Sequence, residues 1–226
     1  MQTPEYKFKN KDTVLFITGV PLSGKSTIAP LVASSIEGCT VQPMDIFRLI
    51  SQRFEDLKPE GQRNPFVEYG SCDSYAFVGD GRYSAKSLIT GFNEYANVVS
   101  SILGIVMPNL QAEGVQSIIF EGVQLTPRIV APYLNNPNNK LVIITSTREK
   151  LAENRQKLFG DDGVRQERYS DERLMLLQNE ILAQSEPLPR DSYFIVDNSN
   201  EYAGSAQQVI DYLLKSHIIE RRIKDK

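Results

Sequence analysis

Residues Gly19-Val20-Pro21-Leu22-Ser23-Gly24-Lys25-Ser26 follow an apolar run, Val14–Ile17, and match the phosphate-binding pattern G-x-x-x-x-G-K-[ST]. In such a loop the glycines let backbone N–H groups surround an anion, the lysine reaches the terminal phosphates and the hydroxyl ligates Mg²⁺. A helix predicted to begin near Lys25 adds free N–H groups and the positive end of its dipole. The alternative, a glycine turn that matches by chance, is disfavoured by the strand pattern before it and the helical pattern after it. The sequence therefore predicts that ATP and Mg²⁺ bind at Gly19, Pro21, Leu22, Ser23, Gly24, Lys25, Ser26 and Thr27.

Length and composition indicate one α/β domain. The chain has 226 residues, of which 41% are hydrophobic and 23% charged, enough for one sizeable core over residues 1–226. A net charge of -3 argues against a broad nucleic-acid-binding surface. Cys39 and Cys72 lack the spacing of a zinc site or a disulfide framework. The N-terminus has no apolar leader and no run is long enough to span a membrane, so we expect a cytoplasmic protein.

The pattern of apolar runs predicts the fold class. Near-continuous hydrophobicity indicates strands that are covered on both faces, as in a parallel sheet. Helical patterns alternate with these strands, which is typical of a doubly wound, three-layer α/β P-loop NTPase fold whose ligands bind at the carboxyl ends of the strands. The five predicted strands are Thr13–Thr18, Thr40–Gln42, Ser117–Glu121, Lys140–Thr145 and Tyr193–Val196.

Helix and loop patterns divide the rest of the chain. An apolar stripe from Leu88 to Val106 predicts one long helix that Pro108 ends or kinks, and Pro30 predicts a kink in the phosphate-loop helix. Residues 57–85 are irregular and rich in Gly, Pro and aromatic residues, which is typical of a binding loop or cap. We expect a lid at 155–170 and a charged tail at 217–226.

The carboxylate Glu121 at the end of a strand helps to define the class of nucleotide protein. A GTPase needs N-K-x-D, and Asn139-Lys140 lacks the aspartate; a motor-type ATPase usually carries tandem acidic residues. A single strand-end carboxylate is what small kinases use to orient Mg²⁺ or its waters. Glu121 is therefore predicted to bind the metal together with Ser26, the alternatives being a solvated strand end or a hydrogen-bond acceptor.

Asp45 ends the short second run, about one turn before Arg48. One interpretation is plain N-capping of the following helix. The other is a general base for the attacking hydroxyl, or an indirect ligand of Mg²⁺. Arg48 is placed to hold an anionic substrate by paired hydrogen bonds.

Arginines downstream surround a Gly-Asp-Asp-Gly turn at 160–163. A mobile lid carrying arginines would place positive charge on the transferring phosphoryl group and exclude water. Arg155 is expected to contact phosphate, and Arg165 and Arg168 the substrate; the alternative is an ordinary charged helix face. Asn198 follows the last strand, where an adenine-contacting loop would lie, although a turn would explain it equally well.

The chain resembles the 2-phosphoglycerate kinase-like P-loop proteins, within the group that also holds zeta-toxin and chloramphenicol phosphotransferase relatives. The resemblance rests on the phosphate loop, Asp45, Ser74-Tyr75 and the string Glu121-Gly122-Val123-Gln124-Leu125-Thr126-Pro127. It implies ATP, Mg²⁺ and a small phosphorylated or carboxylated hydroxyl acceptor. The chain departs from the family at Gln124, where relatives often carry histidine, and at Pro43-Met44.

The leading hypothesis is a small-molecule kinase in which Lys25, Asp45, Glu121 and Arg155 are catalytic. We expect an acceptor cradle of basic and hydroxyl-bearing residues near the strand ends: Arg48, Tyr75, Arg82, Lys86 and Arg128, together with Arg165 and Arg168 of the lid. A kinase for an RNA end or a nucleotide sugar is a second hypothesis, although the net charge disfavours RNA. A non-catalytic ATP-binding regulatory module is a third.

Overall fold

A five-stranded parallel sheet lies at the centre of the protein, in the order β3-β4-β2-β5-β6. We describe it from a computed structural model, over residues 4–68, 70–115, 117–199 and 201–222. Its strands are β2 (Thr13–Thr18), β3 (Thr40–Pro43), β4 (Ser117–Glu121), β5 (Lys140–Thr145) and β6 (Tyr193–Asp197). The five predicted strands and the predicted α/β class are confirmed.

Strand register brings the predicted site residues to one edge. Ile17 of β2 and Pro43 of β3 both pair with Glu121 of β4. The carboxyl ends of these three strands are therefore level, and the phosphate loop, Glu121 and the residues after β3 lie side by side.

Helices cover both faces of the sheet, which explains the continuous apolar runs. On one face, Phe16 and Phe120 pack in a core with the helices that begin at Ala85 and Asp171; on the other, Leu15 and Ile17 pack with the helices that begin at Lys25 and Tyr202. The helices are α1 (Lys25–Ser35), α2 (Met44–Asp56), α3 (Pro65–Glu68), α4 (Ala85–Ser100), α5 (Leu103–Ala112), α6 (Pro127–Val130), α7 (Arg148–Phe159), α8 (Gly163–Arg168), α9 (Asp171–Ser185) and α10 (Tyr202–Lys215). Among the described residues, no helix is both long and apolar enough to cross a membrane.

The long helix predicted from Leu88 to Val106 is in fact two helices, α4 and α5, and Pro108 lies inside the second. The break falls after Ser100, whose hydroxyl donates to the Gln124 carbonyl at 3.0 Å, while the Ser101 hydroxyl donates to the Val98 carbonyl at 2.7 Å. Serine hydroxyls compete for backbone groups in this way and weaken a helix interior. The apolar stripe continues across the break because both helices pack on the same core.

The cap segment, residues 57–85, contains short helices. These are α3 and two 3₁₀ turns, Glu60–Gln62 and Ser74–Phe77. The second turn packs closely on α4 at Gly91: a β-carbon there would lie 2.5 Å from the Ser74 carbonyl. The absence of a side chain at Gly91 therefore positions the cap beside the strand ends.

The segment expected to be a charged tail, 217–226, begins instead with a strand, β7 (Ile219–Arg221), which pairs antiparallel with β1 (Tyr6–Phe8). The side chains of Ile218 and Ile219 are buried, and this burial holds the segment against the domain. Residues 223–226 lie outside the described part of the chain.

Candidate active site

The phosphate loop connects β2 to α1, as its sequence predicts. Gly24 (φ 91°) and Leu22 (φ 68°) are left-handed, a conformation that is unfavourable for leucine and tends to occur at functional sites. A β-carbon on Gly19 would lie 2.4 Å from the Ile144 carbonyl, so only glycine fits there. Gly24 is the N-cap residue of α1; in the described chain no side chain caps this helix, and its first turn has no acidic residue. Its N-terminal N–H groups are therefore available to an anion.

Asn198 supports this loop from beneath. Its amide donates to the Ser23 carbonyl at 2.8 Å and accepts from the Ser205 hydroxyl at 2.8 Å, and the side chain is fully buried. The backbone N–H of Asn198 extends the pairing of β5 and β6 by donating to Thr145, which places the residue under the loop. The predicted contact between Asn198 and adenine is therefore not supported.

Asn154 fixes the other side of the loop, and sequence reasoning missed it. Its amide donates to the Leu22 carbonyl at 2.9 Å and its oxygen accepts from the Tyr202 hydroxyl at 3.3 Å. Only its place beside Arg155, in the helix that begins the predicted lid, pointed to this region. The bond to Leu22 helps to hold the left-handed turn of the loop.

A cavity of about 570 Å³ opens on this side of the loop. The exposed apolar side chain of Leu158 and the aromatic ring of Tyr202 give it surfaces on which a purine base could pack. Leu158 was also missed, although an exposed leucine in a polar helix is a visible signal. The lining residues are Leu22, Gly24, Lys25, Ser26, Thr27, Asn154, Lys157, Leu158 and Tyr202.

A second cavity, of about 420 Å³, also borders the loop. It is lined by Pro21, Lys25, Asp45, Arg48, Gly70, Ser71, Asp73, Tyr95, Val123, Arg168 and Tyr169. Lys25 lines both cavities. The structure thus brings together Lys25, Asp45, Arg48 and Arg168, four of the predicted site residues, around one space.

Glu121 and Ser26 lie together at the end of β4. The Ser26 hydroxyl donates to Glu121 Oε2 at 3.2 Å, and residue Glu121 is 6% exposed. Burial raises the pKa of the Glu121 carboxyl, Lys25 opposes this shift and Asp45 adds to it. A hydroxyl and a carboxylate are hard oxygen ligands, and Mg²⁺ typically uses one or two such groups together with substrate phosphates and water. The pair fits a Mg²⁺ that accompanies a nucleotide.

Asp45 is the second residue of α2 and does not cap it, because Pro43 occupies the cap position. Its carboxylate is exposed and lies 3.8 Å from Nε of Arg48. The N-capping interpretation is therefore wrong. A carboxylate on the cavity wall near Lys25 stays available to accept a proton from a bound hydroxyl.

Arg155 and Arg165 have local partners. Arg155 Nη1 lies 2.8 Å from Asp171 and donates to the Tyr169 carbonyl at 3.0 Å, which ties α7 to the start of α9. Arg165 is exposed, pairs with Asp162 at 3.4 Å and lies over the ring of Phe159. Neither is among the described residues that line the two cavities. A phosphate contact by Arg155 would require the lid to rearrange.

The cradle residues Arg82, Lys86, Arg128 and Tyr75 also differ from expectation, since none is among the described residues lining either cavity. Arg82 is exposed and pairs with Asp80, Lys86 is exposed near the start of α4, and Arg128 donates to side-chain and backbone oxygens of α4. Tyr75 packs edge-on against Tyr83. Only Tyr75 and Arg82 belong to the cap; Lys86 lies in α4 and Arg128 in α6.

Among the comparisons with known proteins, the solved structures agree with this fold. No protein-family model and no curated protein matches the chain. A sugar kinase from Janibacter sp. HTCC2649 superposes with a TM-score of 0.53 at 19% identity, covering 89% of this chain and 94% of the other. A gluconokinase from Sinorhizobium meliloti 1021 gives 0.50 at 14%, covering 92% and 94%.

A deoxyadenosine kinase from M. mycoides, solved with bound dATP, gives a TM-score of 0.50 at 15% identity, covering 89% of this chain and 99% of the other. At these identities the likeness shows the fold. The chain therefore has the doubly wound α/β fold of the P-loop kinases.

Proposed function

We propose that the protein is an ATP-dependent kinase that transfers the γ-phosphoryl group to a hydroxyl of a small molecule. The observation that carries this proposal is the position of Lys25, the one described residue that lines both cavities beside the phosphate loop. A switch protein or a binding module needs only one cavity, for the nucleotide. A second, polar cavity that meets the first at the phosphate-binding lysine is what a phosphoryl acceptor requires.

On the donor side, the loop amides and Lys25 would hold the phosphates, while Leu158 and Tyr202 would pack on the base. Ser26 and Glu121 would hold Mg²⁺, which neutralises charge on the transferring group. Because Asn198 and Asn154 donate hydrogen bonds to the carbonyls of Ser23 and Leu22, the loop would be held in place before a nucleotide binds. Little ordering is then required when the nucleotide binds.

On the acceptor side, Asp45 would accept the proton of the attacking hydroxyl. Its carboxylate is exposed on the wall of the second cavity and lies 3.8 Å from Nε of Arg48. We further propose that the acceptor is a small anionic metabolite, as in the 2-phosphoglycerate kinase-like proteins. The presence of Arg48 and Arg168 in the cavity lining supports this.

A cytoplasmic location belongs to the same proposal. Cys39 and Cys72 are both free, which fits a reducing compartment that supplies ATP.

The test compares Asp45→Asn with wild type in a coupled assay with ATP, Mg²⁺ and a panel of hydroxy acids, phosphorylated hydroxy acids, sugars and nucleosides. We expect kcat to fall about 100-fold or more, with the KM for ATP changed less than about twofold. Asp56→Asn is the matched control, since Asp56 is an exposed aspartate at the other end of the same helix.

Equal losses in kcat and in ATP affinity would remove the role of Asp45 as base. Transfer to none of the acceptors, combined with tight ATP binding, would favour the regulatory module. Transfer to an RNA 5′ end or a nucleotide sugar alone would favour the second hypothesis.

A further inference from the structure

Charged residues of the cap and the lid meet at the second cavity, of about 420 Å³, which we call the acceptor cavity. Asp73, in the cap, has one carboxylate oxygen 2.5 Å from Nε of Arg168 and the other 4.0 Å from Nη1 of Arg173. Asp73 and Arg168 both line the cavity. Two guanidinium groups thus share one carboxylate.

Arg173 cannot readily leave this place. The residue is 9% exposed, and its guanidinium lies 5.1 Å from the ring centroid of Tyr75 and 4.6 Å from that of Tyr83. Such cation–π contacts add to the hydrogen bonds that orient an arginine. A buried guanidinium requires an anion, because an unpaired buried charge is costly. Whatever replaces Asp73 must therefore also be negatively charged.

Arg168 is less constrained than Arg173. Arg168 ends α8, and its side chain is 42% exposed. The backbone after Asp73 is fixed, because the Ser74 carbonyl packs against Gly91. Rotation of the Asp73 side chain is consequently the movement that would release the two arginines without unpacking the cap.

We propose that Arg168 and Arg173 form the subsite for the anionic group of the acceptor, a carboxylate or a phosphate monoester, and that Asp73 occupies this subsite until the acceptor displaces it. The inference rests on the proposed kinase function and names its substrate class. The cavity runs from this cluster to Lys25 and Asp45, so an acceptor anchored here presents its hydroxyl toward the phosphate loop.

Displacement has a favourable charge balance. A phosphate monoester carries about -1.5 to -2 charges and three acceptor oxygens, so it matches two guanidinium groups better than a single carboxylate does. A neutral acceptor offers no replacement charge and would leave Arg173 unpaired. Asp73 would thus select anionic acceptors against neutral ones of similar size.

The experiment measures anion binding by calorimetry, with a non-hydrolysable ATP analogue and Mg²⁺ at saturation so that the phosphate loop is filled. Inorganic phosphate and D-glycerate are the probes, and they distinguish a phosphate from a carboxylate. In Asp73→Asn we expect at least tenfold tighter binding of one probe, because the internal competitor is removed. In Arg168→Gln we expect at least tenfold weaker binding. Asp80→Asn, which alters an exposed aspartate of the same cap, should match wild type.

Kinetics provide a second reading. With an anionic acceptor, Asp73→Asn should lower KM while changing kcat less than about threefold. The proposal is overturned if Asp73→Asn loses activity with every acceptor and gains no affinity for either probe, since Asp73 would then only fasten the lid to the cap. It is also overturned if Arg168→Gln leaves the affinities for inorganic phosphate and D-glycerate unchanged. Because Arg168 is exposed, this variant tests the subsite even if Asp73→Asn fails to fold. Anion binding without any phosphoryl transfer would instead refute the proposed kinase function alone.

Discussion

Replacing Asn198 by alanine should destabilise the protein and weaken the binding of any triphosphate. The change removes two buried hydrogen bonds, one to the Ser23 carbonyl and one from the Ser205 hydroxyl, both 2.8 Å long. Each bond contributes about 1 kcal/mol net, and leaving a buried partner unsatisfied adds about 1–3 kcal/mol. The Ser146 hydroxyl, 3.5 Å from the same Ser23 carbonyl, can compensate only partly.

We therefore expect a loss of about 3 kcal/mol in the free energy of unfolding. For a chain of this length that corresponds to a decrease of roughly 6–12 °C in Tm. Because the bound state requires the ordered loop, ATP affinity should fall about tenfold, equivalent to ~1.4 kcal/mol. Asn138→Ala removes an exposed asparagine bond and is the control, with an expected change within about 0.5 kcal/mol.

Thermal unfolding and calorimetry with both ATP and tripolyphosphate check this prediction. If Asn198 supports the loop, the variant should lose similar affinity for both ligands, because both bind through phosphates. If Asn198 contacted adenine instead, ATP affinity alone would fall and the Tm of the free protein would be unchanged. That result would refute the structural role assigned to Asn198.

Further predictions concern Glu121, the packing of the cap and the lid. Burial raises the pKa of Glu121, so on acidification its carboxylate takes up a proton at a higher pH than an ordinary glutamate does. Mg²⁺-dependent ATP affinity, followed by titration, should therefore decline on acidification from neutral pH. Glu121→Gln should weaken Mg²⁺-dependent ATP binding and remove this pH dependence. Gly91→Ala should lower the free energy of unfolding by about 1–3 kcal/mol through overpacking, and should raise the KM for the acceptor more than the KM for ATP. Gly104→Ala is the control, because Gly104 is a helical site with open space around it, and it should not destabilise the fold. Arg155→Ala and Asp171→Ala should each lower the free energy of unfolding, measured with denaturant, by about 1.5–3 kcal/mol, and their effects should be strongly non-additive. A loss of kcat in the arginine variant alone would indicate a phosphate contact.

Local sequence patterns were sufficient for the sheet and the loop. The runs at 13–18 and 140–145 predicted their strands to the residue, because strands buried on both faces need nearly unbroken hydrophobicity. The pattern Gly19–Ser26 predicted a loop between a strand and a helix that begins near Lys25, and the structure has β2 before this loop and α1 from Lys25. The break after Ser100 was missed, since it depends on a hydroxyl bond to a distant carbonyl.

Side-chain roles away from the loop could not be predicted in the same way. Arg155 and Asn198 have residue types that suit ligand binding. Their partners are instead other parts of the protein: Arg155 pairs with Asp171, and Asn198 donates to the Ser23 carbonyl, which is distant in the sequence. Arginine and asparagine bond equally well to a ligand and to the protein. Only the positions of neighbouring elements decide between these uses.

The sequence by itself determined the α/β fold, the phosphate loop and the carboxylate that ends β4, because each depends on local backbone preference and on the burial pattern of a single segment. The tertiary structure decided which charges meet at the acceptor cavity. Asp73, Arg168 and Arg173 come from separate segments, and their contacts arise only when the cap packs on α4 and the lid folds against it. Charge pairing across such distances depends on the packing of the whole domain, which no local pattern records.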